Sequence, residues 1–422
     1  MQKVLIISYF FPPCKFVGAE RTDYWAKNLH KYGVYPIIIT RNWNNDQIET
    51  TEKVEENTFK HELYKNYEVY KLPYKRTLRD VMSKYIYLKL SQKALTFIES
   101  VLSNFFLRNL PFYNFYYQAN IVLSNTENIN YIINSVSPFP SIFISHRLKK
   151  KYPRKKFIID YRDEWTTRAT IMPKNILEKI LFYLSRKSEV LWTSNLDFFI
   201  TVSKKWKENI NNLTKLEGMV IKNGHDYLNT EITHKTTNVL KIIYLGTLYP
   251  YQKIEIFINA VKKIELAHPG SVKVDFYGTE IKNTQNERLK FLIKNFEHIF
   301  SINKRINKTE LIPELQKADV GLLTAYHNLQ GCLPVKIFDY LYFGLNIFLC
   351  PSDNDEMEGF IETTNSGKSV KSEAECYREL IKMVKMKKNN KDLKRKIDTK
   401  FLNEFSREHQ TSLLANFLNK KH

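Results

Sequence analysis

"GCLPVKIFDYLYFGLNIFLC", running from Gly331 to Cys350, places a helix of barely ten residues directly before a short apolar run. Val335, Phe338, Leu341 and Tyr342 follow helical spacing and predict a core-facing stripe, with Lys336 and Asp339 on an adjacent face. Pro334 suits a first helical position and Gly344 a C-terminal cap. The run "NIFLC" has no polar alternation, as expected of a strand covered on both faces. A loop, a helix carrying a lysine and an aspartate, and a buried strand together form the kind of edge that attracts anions, phosphate among them.

Working outward from this edge, the same alternation recurs along the chain and predicts an α/β fold with parallel sheets. "KVLIISYF" reads as a first strand, residues 20–32 as a helix capped by Gly33, and "YPIIIT" as the next strand. "YIINSV", "KFIID", "LDFFITVS" and "MVIKNG" continue one doubly wound domain. The polar run "YLNTEITHKTTN" interrupts the pattern and reads as a linker. A second series follows in "LKIIYLG", "VKVDFYG", "ADVGLLT" and "NIFLC". The expected division is an N-terminal domain over 1–227, a linker over 228–239, a second domain over 240–400, and a C-terminal helix over 401–422 returning to the first. Two such domains suggest a cleft between them.

With 422 residues the chain exceeds a comfortable single core, and its 43% hydrophobic and 14% aromatic content argues against disorder. Cys14, Cys332, Cys350 and Cys376 show no metal-type spacing and read as reduced cytosolic thiols. "VLIISYFF" is too short to span a membrane and is stopped by Pro12 and Pro13. The formal charge of +21 calls for an acidic partner.

Ordered motifs then carry a resemblance. "SYFFPPCKFVGAERTDYWAKNLHKYG", "SVSPFPSIFISHRLKKKY" with "FIIDYRDEW", "ITVS", "IKNGHD", "YLGTLY" and "LPVKIFDYL" together resemble GT-B type glycosyltransferases of the broad family 4, the bacterial group that builds cell-surface polysaccharides. The resemblance covers roughly the first 370 residues. It implies GT-B architecture, two Rossmann-like domains facing across a cleft, with a nucleotide-diphosphate sugar bound mainly by the second. It implies transfer with retention to a saccharide or lipid-linked saccharide acceptor, no bound metal and no cofactor beyond the sugar nucleotide as co-substrate.

Carried over by residue, the resemblance gives Lys336 the donor phosphate charge and Asp339 the ribose hydroxyls. A solvated i,i+3 pair would show the same spacing. Relatives often have two glutamates separated by seven residues; here the second position is Asp339 and the first falls on Gly331. In "YLGTLYPYQKIEIF", Gly246 ends a strand and Thr247 stands where many relatives have arginine, with Lys253 a candidate for the missing charge or a plain surface lysine. Gly278 would admit the nucleotide or simply form a turn.

In the first domain, Gly18 would allow close approach of the donor, and Arg21 would neutralise charge on the leaving phosphate or sit on a helix surface. Asp160, Arg162 and Asp163 follow a buried strand, where open α/β sheets place ligands. Asp163 is the first choice to assist an acceptor hydroxyl and Asp160 the second; an Asp–Arg pair pinning the loop is the competing reading. His146 and His225 are lesser candidates.

Residues 71–110 carry eight basic side chains, Lys71, Lys75, Arg76, Arg79, Lys84, Lys89, Lys93 and Arg108, against Asp80 and Glu99. Val81, Tyr85, Leu88, Leu95, Ile98, Leu102 and Phe105 interleave as an approximate helical stripe, followed by "FYNFYY". Such a segment suits an anionic membrane surface on the cytoplasmic side, or covers the first sheet. A nucleic-acid partner is not expected, because no recognition motif accompanies the charge. A noncatalytic GT-B-like partner and a nucleotide-sugar epimerase of the same architecture are the alternative functions.

Overall fold

The apolar run after Lys3 forms β1 (Gln2–Ser8), whose Val4, Leu5 and Ile6 are fully buried. In the computed structural model the described residues are 1–14, 16–43, 58–82, 89–107, 110–168, 173, 175–227 and 237–420, with only the backbone described for 78, 79 and 89–93. Internal contacts divide the chain into a first unit of residues 1–223 and 408–422 and a second of residues 224–407. Of the expected linker, residues 228–236 lie outside the described residues.

The first unit contains, after β1, β2 (Val34–Arg41), β3 (Lys60–Leu63), β4 (Glu68–Leu72), β5 (Ile129–Ser135), β6 (Lys156–Tyr161), β7 (Phe198–Thr201) and β8 (Glu217–Val220). Among the described residues these make one sheet in the order β3-β4-β2-β1-β5-β6-β7-β8, parallel throughout except for the antiparallel β3–β4 pair. Parallel neighbours require crossovers, and the helices Val17–Asn28, Ile142–Lys151 and Lys204–Thr214 lie between consecutive strands. The C-terminal helix Arg407–Asn419 contributes Leu414, Ala415 and Leu418 to a core shared with Val4, Ile6, Ile133 and Ile158. Each fully buried leucine contributes about 1.5–3 kcal/mol, enough to hold that helix on the first sheet.

The second unit contains β9 (Leu240–Leu245), β10 (Val272–Tyr277), β11 (Phe300–Asn303), β12 (Val320–Leu323), β13 (Asn346–Leu349) and β14 (Gly367–Ser369). They make a parallel sheet in the order β11-β10-β9-β12-β13-β14. Successive residues of β9 serve opposite faces: Ile242 and Tyr244 enter one core, Ile243 and Leu245 the other. That is why its sequence is apolar without alternation. In both sheets the order reverses beside the first strand, between β1 and β5 and between β9 and β12, and ligands bind outside the strand ends at such switch points. Each unit is a Rossmann-like domain with its own largely parallel sheet. No helix among the described residues is long and apolar enough to cross a membrane.

Candidate functional site

At the switch point of the second unit, β9 and β12 pair only as far as Ile243 with Gly321. The gap beyond is closed by one side chain from the short helix Lys336–Tyr342. The Tyr340 hydroxyl accepts the Leu245 N–H at 3.0 Å and reaches Ile243 O at 3.3 Å and Leu322 O at 3.4 Å. Its ring lies over Gly321, where a Cβ would stand 2.4 Å from the ring, so that position needs glycine. Gln252 makes a second tie across the gap, donating to Thr324 O at 3.1 Å and accepting the Tyr249 N–H at 2.9 Å.

On this frame Lys336 projects to the end of β9. Its Nζ donates to Leu245 O at 2.7 Å and lies 3.6 Å from the centre of the Tyr244 ring. Burial pulls its ammonium down from the usual lysine range to about 7, with the nearby Cys332 opposing the shift. The next residue along β9, Gly246, has φ +90° and open space where a Cβ would stand, and Gly278 at the end of β10 has φ +81°. Both are left-handed conformations that favour glycine. A Cβ on Gly278 would meet the Gly246 Cα at 3.5 Å and the Arg305 Cβ at 3.7 Å, so the ends of β9 and β10 and the loop after β11 converge there. Lys336, Gly246 and Gly278 thus come together, with Thr247 following on the same loop, its carbonyl accepting from the Tyr244 hydroxyl at 3.2 Å.

Two expectations for this edge change. The helix behind it spans seven residues, and its Ile337 and Phe338 amides are taken by Pro334 O and Val335 O at 3.1 and 3.0 Å. An anion at this edge would therefore meet Lys336 rather than a helix dipole. Lys253 is exposed, and among the described residues its side chain makes no hydrogen bond or ion pair; its buried neighbour Gln252 is the residue that reaches the strand ends. Asp339 is half-buried on the same helix. At Gly331 the backbone N–H donates to the Asp355 carboxylate, so an acid reaches this position from the loop after β13. Sequence reasoning missed Tyr340, Gln252, Arg305 and Asp355. Only Tyr340 carried a signal, a polar-tipped aromatic set among the apolar Ile337, Phe338 and Leu341.

In the first unit, Arg21 and Asp160 meet each other. Arg21 Nη2 lies 3.1 Å from Asp160 Oδ1, with the side chains 6% and 0% exposed, and Nη1 donates to Ile221 O at 2.9 Å. Asp160 also accepts from Ser135 Oγ at 3.0 Å. This is a buried, mutually neutralised pair joining the Val17–Asn28 helix to β6 and the end of β8. It corrects two expectations: Asp160 is enclosed away from an acceptor, and the Arg21 charge is spent inside the fold. Arg162 donates to Gly18 O, and a Cβ on Gly18 would stand 2.8 Å from Arg162 Nη1, so this glycine admits the guanidinium of Arg162.

The loop after β6 is pinned by two buried acids. Glu164 accepts from Asn209 Nδ2 at 2.9 Å, and Glu189 accepts the Thr166 N–H at 3.1 Å. Asp160 and Glu164 are 0% and 2% exposed, which leaves Asp163 as the exposed carboxylate of "DYRDE". Although it keeps solvent access, the protein packed around it raises its carboxyl above the usual aspartate range, against the pull of Arg162 and Arg168. His146 is held by Asn195 at 2.8 Å. His225 Nε2 donates to Leu402 O at 2.8 Å, and burial lowers its imidazole to about 4.

No protein-family description matches this sequence, and no curated protein does. Solved structures do match, along the whole chain. The sucrose-phosphate synthase of Thermosynechococcus elongatus superposes with a TM-score of 0.65 at 11% identity, covering 99% of this chain and 98% of that one. The UDP-forming α,α-trehalose-phosphate synthase of Burkholderia xenovorans, in complex with glucose-6-phosphate, gives 0.63 at 10% identity and 100% coverage of both. The Anabaena protein HepE in complex with UDP-glucose gives 0.57 at 11% identity and 99% coverage of both. At these identities the likeness is one of fold.

Proposed function

We propose that this chain is a glycosyltransferase that moves a sugar from a nucleotide-diphosphate sugar to a saccharide or lipid-linked saccharide, with retention, in cell-surface polysaccharide synthesis. The observation that carries the reading is Lys336, whose Nζ stands at Leu245 O beside the left-handed Gly246 and Gly278, at the switch point of a Rossmann-like sheet. A diphosphate there meets the Lys336 ammonium and the backbone at Gly246 and Gly278. Asp339 serves the ribose, and the Asp355 carboxylate at the Gly331 amide stands in for the acid that the sequence lacks at that position. The UDP-glucose and glucose-6-phosphate held by the Anabaena and Burkholderia proteins of like fold support this substrate chemistry. In the first unit Asp163 assists the acceptor hydroxyl, because it is the carboxylate of its loop that solvent reaches.

The test is a titration with UDP-, GDP-, ADP- and dTDP-sugars of the wild-type protein and Lys336→Ala. One nucleotide binds the wild type, and the variant loses a charge-assisted contact of about 1.5–3 kcal/mol. No binding by any of them overturns the reading.

A lipid-linked acceptor docks on the exposed apolar face of the first unit. Ile176, Leu177, Ile180 and Tyr183 of the helix Ile176–Thr193 are 69%, 52%, 41% and 56% exposed, and Ile98, Phe105 and Phe106 nearby are 51%, 60% and 58%. Ser188 donates to Asn104 at 2.7 Å and ties these two segments together. Lys179, Arg186 and Lys187 on the same helix complement an anionic bilayer. Among the residues expected to reach the membrane, Tyr85, Leu88, Lys84 and Arg108 lie outside the described residues, as do the side chains of Arg79, Lys89 and Lys93. Phe112 and Phe115 are 3% and 2% exposed and belong to the core instead. Sedimentation with anionic vesicles at low salt, reversed at high salt, supports this face; equal partitioning to neutral vesicles contradicts it.

A further inference from the structure

Arg41, the last residue of β2, is 1% exposed. Its guanidinium is walled by aromatic rings, 4.3 Å from the Trp43 ring centre and 4.6 Å from that of Tyr74, and Nη1 donates to the Tyr9 hydroxyl at 2.7 Å. Nε and Nη2 have no hydrogen-bond partner among the described residues. These two nitrogens share one edge of the guanidinium, the edge that grips an oxyanion with two parallel hydrogen bonds. Asp80, whose charge acts on both Tyr9 and Tyr74, accepts from the Tyr74 hydroxyl and the Thr77 N–H, both at 2.8 Å.

Arg21 supplies the contrast. It is buried in the same unit, but it has a carboxylate at 3.1 Å and a backbone carbonyl at 2.9 Å. Burying a cation away from water carries a desolvation cost that its surroundings must offset. Ring faces at the distances seen here offset part of that cost and leave two N–H groups without a hydrogen-bond partner among the described residues. Arg41 also stands at the C-terminal end of β2, next to β1, on the side of the sheet where open α/β folds take ligands.

We propose that Arg41 is an oxyanion receptor in the first unit, and that its ligand is a phosphate group on the acceptor. The choice of phosphate rests on the glycosyl-transfer reading, under which the acceptor is a saccharide; phosphate is the anion such a molecule carries, as a sugar phosphate or in a lipid linkage. Entry requires a side chain to move; Phe10, half-exposed and stacked on Trp43 at 5.6 Å, is one that borders this pocket.

The experiment measures melting temperature and binding at constant ionic strength with inorganic phosphate, glucose 6-phosphate, acetate, and vesicles containing phosphatidic acid. The proteins are wild type, Lys336→Ala, Arg41→Met and Arg41→Lys. Phosphate is expected to bind wild type and Lys336→Ala alike, at least tenfold more weakly to Arg41→Met, and acetate more weakly than phosphate throughout. Nucleotide-sugar binding survives in Arg41→Met, so a failed donor site and a failed Arg41 site give different patterns. Glucose 6-phosphate binding without vesicle binding assigns the phosphate to a sugar, and the reverse assigns it to a lipid. If Arg41→Met does not fold, Arg41→Lys, which keeps the charge and loses the fork, must show the weaker phosphate binding. Phosphate binding that is equal in wild type and the Arg41 variants, or absent from wild type, overturns the proposal and leaves Arg41 a packing residue.

Discussion

Raising the pH should weaken donor binding through Lys336. Burial holds its ammonium at about 7, whereas a diphosphate at the end of β9 selects the charged form. Below that pH the lysine is already charged and affinity is flat. Above it, each pH unit costs about tenfold in affinity, so binding at pH 9 is about a hundredfold weaker than at pH 6. At pH 8 binding takes up about 0.9 proton. Isothermal titration with a nucleotide sugar, whose diphosphate does not titrate in this range, in two buffers of different ionisation heat reads that uptake directly. The ligand-free protein carries the converse signature. A lysine depressed in the folded state leaves the unfolded chain binding more protons between about 7 and the ordinary lysine value, so stability rises with pH across that window. Lys336→Met should flatten both the affinity profile and this slope. Tight binding at pH 8 with no proton uptake would refute the reasoning.

Tyr340→Phe removes the hydroxyl that meets Leu245 N–H at 3.0 Å, and should destabilise the protein by about 1–3 kcal/mol in denaturant unfolding while weakening the donor. Asp160→Asn leaves Arg21 buried without its carboxylate and should cost about 3–5 kcal/mol, read as a fall in melting temperature. Asp163→Asn should melt normally and lose transfer by about a hundredfold; the reverse pattern for these two aspartates would contradict their assignment. Cys332 is half-buried while Cys14, Cys350 and Cys376 are buried, so iodoacetamide should label Cys332 first, and a bound nucleotide should protect it. Labelling indifferent to nucleotide would count against a donor beside Lys336.

The interior of both sheets was legible because β1, β9, β12 and β13 are short apolar runs buried on both faces, too short for buried helices and without the polar alternation of a half-exposed strand. The strands that escaped notice are at or near the edges. β14 is the three-residue stretch Gly367–Ser369 without an apolar side chain, and β3 pairs antiparallel through the largely exposed "KHEL". Edge strands carry little hydrophobic signal because little of them is buried. At the site, Lys336 was named from the helix that resembles a donor-binding element, and Gly246 and Gly278 from their places at strand ends, and the fold brings them together. Arg21 was named from a loop that the resemblance assigns to the donor and Asp160 from its place after a strand, yet they neutralise each other, a pairing across 139 residues that no local pattern reveals. Lys253 was chosen for its charge, although its uncharged neighbour Gln252 is the one buried against Thr324.

The most direct measurement is a crystal structure with a bound nucleoside diphosphate. The account predicts the diphosphate over Gly246 and Gly278, within hydrogen-bond distance of Lys336 Nζ, with the ribose toward Asp339. A diphosphate seated instead at the C-terminal end of β1, or density for none of UDP, GDP, ADP or dTDP at saturating concentration, would contradict it.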